Sequence, residues 1–309
     1  MVRTSAALYE RVSMMKYTKT SERVLYFFIL PALAIYLFFY VYPMFTGMYY
    51  SLTDWDGMAK QKNFVGLKNY RDIFADQYTR TATVNTLIYT VVVTFFSNVI
   101  GLILALMLER RSKINNIFRT IFFMPAVLSP VVAAFIWKYM YSPETGVINS
   151  LLRALGLGAL ARDWLGDPKL ALASVMIVPL WQWGGNVMIV FLAGLMNIPE
   201  EYHESAKIDG ASYMQRLVHI ILPGLRPAII FNLIISTIGS FKTFDFIFIL
   251  TYGGPGFTTE VLTLQVYKHA LYTAKFGYGS AVAVMLTLFI VLFSIVELKV
   301  LTRNEEGYL

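Results

Sequence analysis

Cysteine is absent and histidine nearly so, which removes disulfides, thiolate nucleophiles and thiolate metal ligands from consideration. The three histidines, His203, His219 and His269, fall on separate predicted elements. His203-Glu204 lacks the second histidine of an H-E-x-x-H zinc helix, and neither a G-x-S-x-G nucleophile elbow nor a G-x-x-x-x-G-K-[ST] phosphate loop occurs. The Gly253-Gly254-Pro255-Gly256 cluster is followed by no Lys-Ser/Thr, so it reads as a turn and not as a phosphate cradle. No catalytic, metal or cofactor site is expected in this chain.

Charge is also scarce. Charged residues make up 15% of the sequence and hydrophobic residues 57%, with a mean hydropathy of +0.58, against roughly 45–50% apolar residues in a soluble domain. The balance of +7 is spread between apolar runs and not gathered on one face. Lipid headgroups are therefore the expected counter-charge, and nucleic-acid binding is rejected. What the chain does have is long hydrophobic runs, six of them near or above the ~20 residues that cross a hydrocarbon core. They cover Val24–Met48, Val84–Leu108, Thr120–Tyr141, Leu170–Leu195, Ala228–Leu250 and Tyr278–Leu298. An all-α integral membrane fold with six transmembrane helices follows. The first run comes after a polar, basic tail at 1–23 and has no small-residue cleavage site behind it, so it is read as a retained span, 24–48. With the N-terminus inside, the inner pieces hold fourteen Lys and Arg against ten in the outer connectors. That orientation puts both termini, the C-terminal tail 303–309 and the loop 197–223 in the cytosol.

The loop between the fourth and fifth runs has its own grammar. Pro199 suits a first helical turn, and Glu200, Glu201 and Glu204 place negative charge near the positive helix end. Gly210 tolerates positive φ, and a second helix from Met214 to Leu222 runs until Pro223 removes a donor. Two short helices around a bend are predicted. A plain connector with a glycine hinge would look similar, but Ile220-x-Leu222-Pro223 and the flanking spans favour a specific handle.

Polar residues inside the spans are costly, at ~2.5–3.5 kcal/mol for a charge at mid-depth. Lys242 and Asp245 stand three apart, close enough to pair on a helix, and Asn232, Ser236, Ser240 and Thr243 form a stripe along the fifth span. The fourth span reads Pro179-Leu180-Trp181-Gln182-Trp183-Gly184-Gly185-Asn186, with Gln182 and Asn186 one helical turn apart. Trp faces stack on sugar C–H groups and amides bond hydroxyls, so Trp181, Gln182, Trp183 and Asn186 suggest a carbohydrate path shared with the fifth span. The competing reading is helix packing, with Lys242 neutralising Asp245 and the glycines permitting close contact.

The segment from Ile198 to Pro227 resembles the EAA coupling loop of ATP-binding-cassette importer permeases through Glu204-Ser205-Ala206, Gly210 and Ile220-x-Leu222-Pro223. Ser205 replaces the usual alanine. The resemblance extends to Phe64-Val65-Gly66-Leu67-Lys68-Asn69-Tyr70, Asn85-Thr86, Arg119-Thr120-Ile121-Phe122-Phe123-Met124-Pro125, Trp137, Phe244-Asp245 and Thr251-x-Gly253-Gly254-Pro255. Together these are similar to the maltose, glycerol-phosphate and oligosaccharide branch of carbohydrate importer permeases. The resemblance implies a type I importer (MetI-like) permease core over 78–302, with Glu204, Ser205, Ala206, Gly210, Ile220, Leu222 and Pro223 coupling to an ATPase. It also implies a second permease subunit, two cytosolic ATPase subunits that bind the ATP and Mg, an extracellular or periplasmic sugar-binding protein, and a bacterial plasma membrane. The rivals are an ion-coupled secondary transporter, which would not need the handle, and a membrane scaffold or channel subunit, which would leave it unexplained.

Overall fold

The computed structural model describes residues 19–302, with side chains described from residue 27. The predicted C-terminal tail 303–309 and most of the N-terminal tail lie outside the described residues. Lys19–Arg23, expected in that tail, are already helical.

The chain divides after Tyr50. The first unit is one long apolar helix in two pieces, α1 (Lys19–Tyr36) and α2 (Tyr42–Tyr50), joined by a π turn at Leu37–Val41. The amide of Tyr42 donates to the Leu37 carbonyl, five residues back, just before Pro43. The wider turn makes room for a proline ring that would otherwise meet the carbonyl four residues earlier.

The second unit begins with a non-helical segment leading to α3 (Lys68–Ala75) and α4 (Gln77–Met107). Next come α5 (Lys113–Val127), α6 (Pro130–Met140), α7 (Val147–Ala154) and α8 (Ala171–Met196). The remainder is α9 (Glu200–Ile208), α10 (Tyr213–Gly224), α11 (Arg226–Phe241), α12 (Asp245–Leu250), α13 (Leu262–Tyr267) and α14 (Phe276–Thr302). Every regular element among the described residues is helical. Residues 27–50, α4, α8 and α14 are each long and apolar enough to cross a membrane, and the bent pairs α5 with α6 and α10 with α11 bring the total to as many as six.

The third predicted span is not straight. It breaks at Leu128-Ser129 with a 99° bend, where Ser129 caps α6 through the Val132 amide and Pro130 occupies its first turn. The fifth span ends early, at Phe241. Three residues, Lys242, Thr243 and Phe244, leave the helix before α12 begins at Asp245.

Helix α8 lies at the centre, against α4, α5 and α11. Small residues set how closely these helices approach. A Cβ on Gly185 would clash with the Phe122 carbonyl oxygen of α5, and one on Gly101 of α4 would sit 2.5 Å from the Val187 side chain. One core of Ala105, Met188, Phe191, Leu195, Ile221 and Leu225 fills one end of this group. A second core of Tyr89, Ala133, Val175, Ile247 and Leu264 fills the other. Gly185→Val is expected to destabilise the protein by about 1–3 kcal/mol through overpacking against fixed backbone. Gly239→Ala, where an added Cβ meets nothing within 4 Å, should be neutral or stabilising by up to ~1 kcal/mol. Thermal unfolding of the two variants in one detergent checks the contrast.

Candidate functional site

Between α4, α8 and α11 lies a cavity of about 320 Å³, inside the range of roughly 300–1,000 Å³ typical of small-molecule sites. Its walls include Trp183, Asn186, Asn232, Ser236, Ser240, Lys242, Thr243 and Asp245, eight of the ten residues assigned to a path from sequence. Pro130, at the bend of the third span, also borders it. Tyr89 and Phe231, which the sequence reading passed over, and Phe244, named there only within the family resemblance, add aromatic surface. Nothing in their spacing distinguishes them from core residues, and only the fold brings them to the wall.

Not all of the polar wall is available to a solute. Ser240 accepts from Thr94 at 3.5 Å and Ser236 accepts from Asn98 at 3.4 Å, both across the contact between α4 and α11. The Asn232 amide donates to the Val187 carbonyl at 3.3 Å, and Thr243 donates to the Tyr89 hydroxyl at 3.0 Å. Packing and lining are therefore combined along this face. Among the described residues the Asn186 and Trp183 side chains find no hydrogen-bond partner, and both border the cavity.

Three sequence expectations need correction. Lys242 and Asp245 do not share a helix, because Lys242 caps α11 while Asp245 opens α12, and they form no salt bridge. The hydrogen-bond demand of the break, met partly by Thr263 donating to the Thr243 carbonyl, overrides the helical spacing. Gln182 does not line the cavity. It is fully buried, and its amide donates at 2.7 Å to the Leu128 carbonyl, which the bend between α5 and α6 has freed. Trp181 is also outside the cavity, with its ring edge against Trp137 at 5.8 Å.

The loop after α8 folds as two short helices around a bend, with local bonds specifying each step. Pro199 is the residue before the first helix and not its first residue, a difference of one position. Helix α9 ends on Gly210 at φ +72°, with Gly210 N–H to the Lys207 carbonyl at 3.1 Å and Ala211 N–H to the Ala206 carbonyl at 2.9 Å. That pair of bonds is the Schellman arrangement, which needs a left-handed residue at the stop. Ser212 and Gln215 then bond reciprocally to start α10, a signal visible as Ser-x-x-Gln in the sequence. Within α10, Leu222 N–H reaches back to Leu217 in a π turn at Leu217–Ile221 ahead of Pro223, the same solution as at Pro43. Glu204 and Ser205 are exposed, as are Gly210 and Pro223, Ile220 and Leu222 are half-buried, and Ala206 is buried.

At the end of the bundle away from the bent loop, Glu260 is completely buried. Its carboxylate accepts from Lys268 at 2.7 Å and from Gln265 at 3.1 Å. Burial raises the Glu260 carboxyl above its ordinary pKa, and the Lys268 ammonium opposes that rise. Gly253, at φ +87°, wraps against this carboxylate so closely that a Cβ would clash with it. Asn85 of α4 donates to the carbonyls of Thr258 at 3.1 Å and Glu260 at 2.9 Å, and Thr86 accepts from Leu262 N–H at 3.0 Å.

A helical bundle of apolar crossings with a central, partly polar cavity and a bent loop at one end defines a multi-pass membrane permease. Residues 97–301 match the model of the binding-protein-dependent transport system inner membrane component family, and the chain belongs to that family. It is 37% identical over 283 residues to the probable ABC transporter permease YurN of Bacillus subtilis, covering 91% of this chain and 97% of the relative. It is 36% identical to the multiple sugar-binding transport system permease MsmF of Streptococcus mutans, covering 90% and 95%, and 33% identical to the trehalose/maltose permease MalF of Thermococcus litoralis, covering 89% and 92%. A chain of a bacterial ABC transporter that imports the acidic polysaccharide alginate has the same fold, with TM-score 0.81 at 24% identity over 93% of this chain and 97% of that one. The protein is thus a permease subunit of an ATP-driven importer.

Lys268→Met should cost about 3–5 kcal/mol by leaving a buried carboxylate unpaired. Since only the ionised form of Glu260 is penalised, the stability of that variant should recover as pH falls, and adding Glu260→Gln should restore much of it at neutral pH. Unfolding followed from pH 5 to 8 checks both.

Proposed function

We propose that this chain lines the passage of a carbohydrate importer, together with a second permease subunit. Two cytosolic ATPase subunits hold ATP and Mg and supply the work, and an external sugar-binding protein delivers the solute. The plasma membrane is its location, with both termini and the loop 197–223 on the cytosolic side, the tails being 1–23 and 303–309 and the permease core 78–302. Relatives whose names specify sugars support the substrate class, among them MsmF, MalF and the arabinooligosaccharide permease AraP of Bacillus subtilis. The likeness to an alginate importer solved with its periplasmic protein supports the external partner.

The observation that carries the reading is the cavity wall where Trp183 and Asn186 stand unengaged beside Phe231 and Phe244. A pyranose ring presents C–H faces to the aromatic surfaces and hydroxyls to the Asn186 amide, which both donates and accepts. Lys242 and Asp245, unpaired at the same wall, extend the polar contacts. The bent loop supplies the handle. Exposed Glu204 and Ser205 meet the ATPase, buried Ala206 permits close helix contact, and Gly210 holds the bend, while Ile220, Leu222 and Pro223 join the handle to α11. Spans with internally satisfied backbones then tilt as near-rigid bodies when the handle is pulled. An ion-coupled carrier has no use for such a loop.

Uptake into proteoliposomes holding the complete transporter tests both parts. Asn186→Leu should lower sugar uptake about 2–13-fold, the worth of one net hydrogen bond of ~0.5–1.5 kcal/mol. Gly239→Trp should fill the cavity and abolish uptake in an assembled complex. Unchanged uptake in both variants removes the cavity from the path. Gly210→Val strains a left-handed backbone position and should leave ATP hydrolysis uncoupled from uptake, or prevent ATPase docking; normal coupled uptake contradicts the handle.

A further inference from the structure

The turn between α4 and α5 carries charge that the transport reading does not use. From Thr81 to Leu108 there is no charged residue, and Glu109-Arg110-Arg111-Ser112-Lys113 follows at once. Arg110, Arg111 and Lys113 are all exposed, with Glu109 the single carboxylate in the turn. Among the described residues the only salt bridge is that of Lys268 with Glu260, so no carboxylate neutralises these three cations. Arg111 Nη2 reaches the Met196 sulfur at 4.0 Å, a weak acceptor that leaves its charge available.

The shape and depth of the turn are both fixed. Arg119 of α5 donates to the Leu108 carbonyl through Nε at 3.1 Å and to the Glu109 carbonyl through Nη2 at 3.1 Å, and Asn115 donates to the Arg110 carbonyl at 2.9 Å. The Ser112 hydroxyl accepts from the Asn115 amide at 3.1 Å and starts α5. The backbone is thereby held against α5, and the three cationic side chains are left outside. Five residues, 108–112, separate α4, which is long and apolar enough to cross a membrane, from α5, which opens the bent third crossing. A turn this short between two crossings stays in the interfacial layer, about 5–8 Å deep on each side. Leu108 shares a core with Leu195 and Ile221, which puts the turn at the end of the bundle that carries the bent loop. Met107, 72% exposed, and Ile114, 61% exposed, stand immediately before and after the charged run.

We propose that this turn holds an anionic lipid in the leaflet at the bent-loop end, with Arg110, Arg111 and Lys113 on its phosphate and headgroup and Met107 and Ile114 against its acyl chains. Guanidinium groups suit the phosphate because they can donate two parallel bonds to it. A free anion would gain nothing from the apolar residues on either side, whereas an amphiphile uses both. The inference rests on the membrane location of the bundle and is independent of the solute carried.

Because the chain has no cysteine, Ile117→Cys takes a bimane label at a single place, on the first turns of α5. The full chain is purified with the subunits that accompany it and placed in phosphatidylcholine nanodiscs containing spin-labelled phosphatidylglycerol or spin-labelled phosphatidylcholine. With each cation near the surface worth about 5-fold in affinity, half-quenching should need at least about 5-fold less phosphatidylglycerol than phosphatidylcholine. Adding Arg110→Gln, Arg111→Gln and Lys113→Gln together should bring the two lipids level. Raised sodium chloride should narrow the preference with the turn unaltered, a readout that depends on no substitution there. Equal quenching by the two lipids, or a preference that survives the triple substitution, overturns the proposal. So does absence of quenching by either, which would put a protein subunit over the turn. Loss of the preference when inorganic phosphate replaces chloride at constant ionic strength would assign the turn to a free anion and overturn it as well. Sugar uptake does not enter this readout, so failure of the carbohydrate assignment would leave the lipid preference unaffected.

Discussion

Contact between helix backbones at Gly185 and Gly101 is the constraint on which the rest of the bundle depends. In a bilayer, burying apolar side chains between helices brings little gain, since lipid is as apolar as leucine, and association relies on close packing and interhelical hydrogen bonds. Gly185 lets α8 meet the α5 backbone at Phe122 and Phe123, and Gly101 lets α4 accept Val187. Once α8 is seated this deeply, Gln182 reaches the Leu128 carbonyl exposed by the 99° bend. The bend is thereby tolerated, and the side of α8 that carries Trp183 and Asn186 is left facing a void. Cavity and bend are two results of one close approach.

The turns between helices are organised by polar groups reaching carbonyls. Asn85 gathers the segment around Glu260, Asn69 donates to the Ser51 and Thr53 carbonyls at 2.8 Å each, and Arg119 donates to the Leu108 carbonyl at 2.6 Å where α4 ends. In a protein with so few charged residues, a single cation or amide bonded to two or three carbonyls is an economical way to hold a turn, because each buried carbonyl otherwise goes unsatisfied. The buried pair of Glu260 and Lys268 is the ionic example of the same device.

Much of this was legible in advance. The apolar runs, the helix–glycine–helix loop and the wall residues on α8 and α11 follow from hydropathy, from the φ tolerance of glycine and from polarity at bilayer depth. The short segments that resemble a transporter family were legible as a signature but not as structure. Asn69, Asn85 and Arg119 act over separations of 10 to 175 residues, and no local pattern reveals the carbonyl at the far end. Lys242 and Asp245 misled for a related reason. Helical spacing assumes the helix continues, and the decision to end it at Phe241 depends on Tyr89 and Thr263, which come from other elements. Gln182 and Asn186 stand one turn apart, yet one is consumed by a broken helix and the other is free, a division that only the position of α5 determines.

The loop between α8 and α11 illustrates a different principle. Its stop at Gly210 and its restart at Ser212 are both secured by bonds between residues no more than five apart. The angle between the two short helices is consequently a property of the loop itself, present before anything touches it. A protein docking there, as proposed, would meet a surface already in its final shape and lose little conformational freedom in grasping it. Force applied there would pass into α10 and α11 without first ordering a slack connector.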